Sequence, residues 1–381
     1  MKYKKKLTGT AIASAALLAV SLAMSGLSGS LESQNMAERW QAGDLKYSQV
    51  SVFYPQSSTP YKKNETENIG KFIDDRIKAE SFKPENEGAE IWTDAWSSVM
   101  TPSAVSVYNP ESGRTDECAS KINIAGIGGD FFSFHPLNLV SGNYIYETEL
   151  RNDRAVLDEK SAWAIFSSTD VTGMTFRING KEFEVAGVVR AEEDKSSQKS
   201  YPEEPVIYIH YEALEETGLD DALLCYESVI PDPVDNFAVN IIKEYFGIST
   251  MTEPEDGKDP VKSLPVVITE NSSRYSFLSL FKGLKNFDSQ FISDRSIAYP
   301  YWENAARITG VQMEILFFIF LILAAYILIM LIIMVSGLYL NRKWHLKDHI
   351  ENLMYKYTYK KKSSDYISVD ENETDTESRF D

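Results

Sequence analysis

Cysteine and histidine are scarce in this 381-residue sequence, with two of the first and four of the second. Two cysteines exclude a disulfide-stapled miniature scaffold and a cysteine-built zinc site. Four histidines leave little room for a histidine-rich metal centre. Basic charge is also short: 38 Lys and Arg stand against 56 Asp and Glu, a net charge of −18. A chain that acidic does not hold a phosphate backbone by counterion release, which removes nucleic acid as a partner. No segment fits G-x-x-x-x-G-K-[S/T], so a phosphate-cradling loop is missing too. Hydrophobic residues at 43% and charged residues at 25% are globular values and exclude a wholly disordered chain. The length allows two ordinary domains, or one large domain with membrane segments.

The apolar residues gather at the two ends. Residues 7–31 carry no charge over 25 positions, and Lys2, Lys4, Lys5 and Lys6 precede them. About 20 residues suffice to cross a bilayer as a helix. A cleaved signal peptide has the same basic start, and Ser21 with Ala23 offers a small-x-small cleavage site; the length of the uncharged stretch favours a retained helix. Sixteen of the 25 residues are Gly, Ala, Ser or Thr. Small residues let helix backbones approach closely, which predicts docking against other membrane helices. Residues 315–340 form a second uncharged run of 26, mostly large aliphatics, followed by Arg342, Lys343 and Lys347. At ~1.5 Å per residue it outreaches the ~30 Å hydrocarbon core and is expected to tilt or protrude. Both spans carry basic flanks on their outer side in sequence, so the positive-inside rule predicts cytoplasmic termini and an extracytoplasmic middle. That middle holds 26 basic and 47 acidic residues.

Beyond the second span, Leu346, Ile350, Leu353, Met354 and Tyr357 fall at helical spacing, with Lys347, Asp348, Glu351 and Lys356 between them. This predicts a short amphipathic cytoplasmic helix. It either lies on the inner leaflet, with Trp344 at headgroup depth and lysines on anionic lipid, or contacts a cytoplasmic protein. His345 and His349 sit one turn apart but read as a solvated face rather than a metal site. Residues 363–381 carry seven acids and one Arg and read as a disordered tail.

Residues 32–314 are long enough for a sizeable core. Tyr47 to Tyr54 alternates as a strand, Ile69, Phe72, Ile73 and Ile77 mark a helix, and residues 90–96 look extended. The order returns later: Leu223 to Ile230 is strand-like, Phe237, Ile241, Ile242 and Tyr245 mark a helix ending at Gly247, and Pro265 to Thr269 is a strand. The expected fold class is therefore membrane-anchored α+β. Two transmembrane helices flank a large domain in which a split α/β lobe carries an inserted β-rich lobe. In the insert, Thr175–Ile178 and Lys181–Val189 flank Asn179-Gly180, a strong hairpin signal. Residues 159–166 predict a helix with Ala162, Trp163, Ile165 and Phe166 for packing, and residues 191–204 and 252–264 predict loops.

Signals of catalysis are weak. Gly126, Gly128 and Gly129 lack the βαβ context of a dinucleotide site. Ser196 to Lys199 matches S-x-x-K in a charged loop, but no K-T-G follows. His135 and His210 are two possible bases without a nucleophile elbow. The acids Glu253, Glu255, Asp256 and Asp259 lack EF-hand spacing. Neither an enzyme nor a cofactor or metal site is expected. Cys118 and Cys225 both fall on the outer side, and either a disulfide or two unpaired thiols fit.

The run GIGGDFFSFHPLNLVSGNYI, followed by RAVLDEKSAWAIFSSTDVTGMTFRINGKEFEVAGVVR, resembles the extracytoplasmic core domain of MacB/FtsX-type ABC transporter permeases. The resemblance rests on Gly129, Phe131, Phe132, Leu137, Leu139 and Gly142. It continues through Val156, Leu157, Ala162, Phe166, Asp170, Gly173, Ile178, Gly180, Phe183, Val185, Gly187 and Val188. These are turn glycines and core apolar residues, so the resemblance concerns fold. It implies a membrane subunit without ATP binding of its own, in an ABC-type transport or mechanotransmission complex. It further implies a separate ABC ATPase subunit and a full-length permease as partners, in addition to membrane lipid. Family permeases carry three spans after the domain, with an ATPase-contacting loop between two of them; one span stands here. The 341–362 helix, through Trp344, Leu346, Ile350, Leu353, Met354 and Tyr357, is the expected substitute contact. The alternative is a two-span surface receptor or scaffold that binds an extracellular ligand or wall component without transport. The expected divisions are 1–31 (cytoplasmic stub and first span), 32–314 (core domain), 315–340 (second span), 341–362 (juxtamembrane helix) and 363–381 (tail). Residues 299–314 are expected to form a stalk helix leading into the second span.

Overall fold

Alternation in Tyr47–Phe53 sends Val50 and Val52 to one side and Gln49, Ser51 and Phe53 to the other, and the segment forms strand β1. The computed structural model describes residues 2–30, 35–40, 45–56, 60–82, 90–109, 114–248, 266–285, 297–340 and 350–358. β1 pairs antiparallel with β10 (Leu223–Pro231) and β11 (Val267–Glu270), and β10 pairs with β2 (Thr93–Ser98). Helices α3 (Lys63–Ala79) and α8 (Phe237–Tyr245) follow β1 and β10 in sequence. Ile69, Ile73 and Ile77 of α3 and Ile241 and Ile242 of α8 join Val50, Val52 and Tyr54 in one buried cluster. Burying these aliphatic side chains stabilises the lobe by roughly 1.5–3 kcal/mol each. α8 ends as expected: Gly247 takes φ +68° and its N–H donates to the Glu244 carbonyl.

The residues between these units form β3 (Thr101–Asn109), β4 (Arg114–Gly129), β6 (Arg154–Asp158), β7 (Thr175–Ile178), β8 (Lys181–Arg190) and β9 (Val206–His210). Their pairings close a circuit: β4 with β3, then β7, β8, β6, β9 and back to β4. β5 (Asn138–Gly142) adds to β8. The inside of this circuit is filled by Ile122, Ile124, Leu157, Phe176, Phe183, Val185 and Ile207. β4 is 16 residues long and belongs to both regions, because its Ile127–Gly129 end pairs with β2. Asn179 and Gly180 turn the β7–β8 hairpin at φ 48° and 89°. Helix α5 (Glu159–Phe166) starts where predicted, with Asp158 Oδ1 accepting the Ser161 N–H at 2.6 Å.

Two expectations are corrected. The polar stretch 191–204 is not a loop throughout: Lys195–Ser200 is helix α6. Asp194 Oδ1 accepts the N–H groups of Ser196 and Ser197, each at 2.9 Å, and this cap starts the turn despite the polar composition. Trp163 does not pack inward but is 59% exposed, because the inner face of α5 is taken by Ala162 and Ile165. The predicted loop 252–264 and the tail 363–381 lie outside the described residues.

Short helices α2 (Met36–Arg39), α4 (Phe131–Phe134), α7 (Ala213–Thr217) and α9 (Phe277–Lys285) join these elements. Two further helices, α1 (Lys2–Ser30) and α10 (Tyr301–Leu340), are long and apolar enough to cross a membrane. The chain divides into a unit of residues 20–319 and a unit of 1–19 with 320–381. In the latter, a Cβ at Gly9 of α1 would lie 3.1 Å from the Tyr326 hydroxyl of α10, a close approach of the kind small residues permit. That unit also contains the helix at 350–358, here α11.

The glycine cluster serves packing. A Cβ at Gly126 would fall 2.4 Å from Leu214 Cδ1, and one at Gly128 would fall 2.3 Å from the Trp96 ring. Gly129 holds φ +61° with the Asp94 carbonyl 2.4 Å from its Cβ position, so only glycine fits.

Candidate functional site

The sheet face opposite α3 and α8 carries an unusual residue at its centre. Glu227 stands in the middle of the apolar strand β10, opposite Ser51 of β1, and is 3% exposed. A buried carboxylate is costly unless it is bonded and paired. Here it accepts hydrogen bonds from the Ser51 hydroxyl at 2.7 Å, from Gln49 Nε2 at 3.2 Å and from His135 Nε2. Burial opposes ionisation of Glu227, but the neighbouring imidazole of His135 and these hydrogen bonds prevail and hold the carboxyl below its usual range. His135 follows α4, where its N–H donates to the Phe131 carbonyl at 2.9 Å. Its ring lies on the Trp302 indole, centroids 4.0 Å apart and planes tilted by 31°. Trp302 belongs to the first turn of α10.

A second anchor lies beside the first. Arg274 holds Glu303 of α10 in a two-pronged pair, Nη1 to Oε2 at 2.7 Å and Nη2 to Oε1 at 2.9 Å. Arg307 Nε adds a bond to Glu303 Oε1 at 2.7 Å. Burial works against the charge of Arg274, and the Glu303 carboxylate outweighs it, so its pKa is raised. The Tyr275 hydroxyl donates to the Ala306 carbonyl at 3.0 Å, and the Asn271 N–H donates to the Gln49 carbonyl at 2.8 Å. The segment after β11 is thus tied to both the sheet and α10. A cavity of about 510 Å³ opens among these groups, walled also by Ser25, Ser28 and Gly29 of α1. His135 Nδ1 and Trp302 Nε1 are buried with no hydrogen-bond partner among the described residues.

This arrangement links the first two turns of α10 to the core by charge pairs and a ring stack. Rotation or sliding of the helix would have to break them. Sequence reasoning considered His135 only as a stray base and missed Glu227, Arg274 and Glu303. The available signal was a lone acid inside an apolar strand, LLCYESVIP, since such an acid needs a buried partner. His210 lies elsewhere, in β9 opposite Ile127. Ser196 of the S-x-x-K match is buried in α6, where its hydroxyl accepts from Thr309 of α10 at 2.9 Å. α6 is thereby a third contact with that helix.

The strand register bears on the two cysteines. Cys225 is a free, buried thiol. It pairs in register with Ser97, which pairs with Ile127 of β4, while Cys118 lies nine residues further back along β4. At ~3.3 Å per residue that is about 30 Å along the strand, where disulfide Cα atoms need to lie within about 7 Å. Burial, with the charges of Glu227 and Glu303, pushes the Cys225 thiol up. Of the expected partner-contact residues, Trp344 and Leu346 lie outside the described residues. Ile350, Leu353, Met354 and Tyr357 are brought onto α11, each with an exposed side chain.

A family model for the MacB-like periplasmic core domain matches residues 7–245. Among solved structures, the chain is similar to the periplasmic region of MacB from Actinobacillus actinomycetemcomitans. The identity is 16%, the match covers 62% of this chain and 92% of that one, and the TM-score is 0.38. It is also similar to the extracellular domain of the noncanonic ABC-type transporter YknZ from Gram-positive bacteria. There the identity is 15%, the coverage 52% and 91%, and the TM-score 0.34. No curated protein matches.

Proposed function

Because this chain belongs to the family of MacB-like periplasmic core domains, we propose that it is the non-ATP-binding membrane subunit of an ABC-type complex, in which movement is passed between membrane helices and an extracytoplasmic domain. ATP turnover is assigned to a separate ABC ATPase, with a full-length permease as further partner. Both termini are read as cytoplasmic. The units β1–α3–β2 and β10–α8–β11 are read as halves of one lobe that carries residues between them as an insert, a reading supported by the antiparallel pairing of β1 with β10. The observation that carries the proposal is the anchoring of α10. One continuous helix of 40 residues has the buried Glu303–Arg274 pair and the Trp302–His135 stack at its outer end. A helix held so at one end transmits displacement instead of absorbing it.

On the cytoplasmic side, the exposed side chains of Ile350, Leu353, Met354 and Tyr357 are proposed as the contact with the ATPase, together with Trp344 and Leu346 by their place in the sequence, with inner-leaflet lipid as the other surface. Crosslinked pull-down from membranes tests the proposal: an ABC ATPase and a multi-span permease should be recovered. Deletion of residues 343–381 should abolish recovery of the ATPase, and undiminished recovery would refute the contact. A second reading, a receptor or scaffold that binds a ligand without transport, is favoured by the cavity beside Glu227. It predicts a pull-down without any ATPase.

A further inference from the structure

Helix α9 has a partly exposed apolar face. At ~100° per residue, Phe277, Leu278 and Phe281 fall within one arc of the helix. They are 63%, 60% and 42% exposed, while Leu280, on the neighbouring arc, is 4% exposed and holds the helix to the body. Lys282, exposed, flanks the arc next to Leu278. The helix is fixed in place from its start. The Ser276 hydroxyl accepts the Ser279 N–H at 3.3 Å, Tyr275 bonds to the Ala306 carbonyl, and Arg274 pairs with Glu303. The Phe277 ring meets Phe317 edge-on, with centroids 5.1 Å apart.

Phe317 is the third residue of the uncharged run 315–340. At ~1.5 Å per residue, it lies only a few ångströms inside the apolar part of the helix. Phe317 itself is buried, but Ile315 and Phe318 beside it are 49% and 55% exposed, so the exposed arc of α9 adjoins the apolar surface of α10 at that level. We infer that α9 is an interfacial helix, lying in the outer leaflet with Phe277, Leu278 and Phe281 among the acyl chains and Lys282 at the headgroups. A short amphipathic helix with Phe and Leu on one side and Lys at its rim suits that boundary. In water Phe277 and Leu278, 63% and 60% exposed, would form an exposed apolar patch. This reading rests on membrane insertion of α10 and not on the identity of any partner chain.

The test uses the full chain in lipid nanodiscs, with Cys118→Ser and the buried Cys225 retained. An environment-sensitive fluorophore is attached at Leu278→Cys, at Trp163→Cys on the exposed face of α5, and at Leu328→Cys within the span. The label at 278 should emit to the blue of that at 163. It should lose emission with shallow nitroxide-labelled lipids and resist an aqueous quencher. A water-like label at 278 beside a lipid-quenched label at 328 would overturn the inference while leaving the span intact. A label at 278 shielded from both lipid and aqueous quenchers would overturn it in favour of a protein partner on this face. If neither 278 nor 328 responds to lipid quenchers, both the inference and its premise fall.

Discussion

Glu303 illustrates how much rests on single residues. It is 3% exposed and answers two guanidinium groups. Glu303→Gln leaves Arg274 buried without its counter-charge and is expected to cost about 3–5 kcal/mol. In the double variant Arg274→Met with Glu303→Gln, the loss should be smaller than the sum of the two single losses, as read by chemical denaturation of the full chain in detergent. Strictly additive losses would show that the pair does not act as a unit. Asp94 is the titratable counterpart. Burial first, then the charges of Glu147, Asp130 and Glu90, push its pKa up to about 7, against the bond donated by Tyr226 at 2.8 Å. A carboxyl raised in the folded state binds more protons there than when unfolded, so its contribution is present in acid and is lost as pH rises from about 4 to about 7. Asp94→Asn should flatten the pH dependence of the unfolding midpoint across that window. An unchanged profile would place the titration elsewhere.

At the scale of elements, those with strong periodicity were legible. α3, α8, the β7–β8 hairpin and α5 stand within a few residues of their expected positions, because each buries one face or turns on residues that suit the turn. α6 was not legible, since its start depends on one Asp side chain and its burial on Thr309, more than a hundred residues away. α10 was read as a stalk joined to a span and is one helix, Tyr301–Leu340. Its continuity is testable at Gly310, where nothing lies within 4 Å of an added Cβ. Gly310→Pro removes a helical hydrogen bond and clashes with the preceding turn, at about 2–3 kcal/mol relative to glycine. If α10 carries movement, this variant should still recover the ATPase in pull-down while ATP turnover of the purified complex falls several-fold. Unaltered turnover would argue against the helix as transmitter.

For the whole molecule, membrane topology is the first question. In intact cells, Ser364→Cys should resist an impermeant thiol reagent and Trp163→Cys should react; the opposite pattern would reverse the orientation. The sequence alone was enough for the two apolar spans, the acidic middle and the family resemblance, because composition over twenty residues and turn glycines in order are local properties. It was also enough to name both cysteines but not to say whether they meet. Only tertiary structure sets Cys225 on β10 and Cys118 far along β4 with β2 between the two strands, and it also decided where the polar residues go. Glu227, His135, Arg274 and the adjacent pair Trp302 and Glu303 come from four separated stretches of chain. Apart from Glu227, a lone acid in an apolar strand, none of them stands out in the sequence. Their pairing exists because a closed set of strands shares β4 with the open sheet and lays the foot of α10 across it, which no short-range pattern encodes.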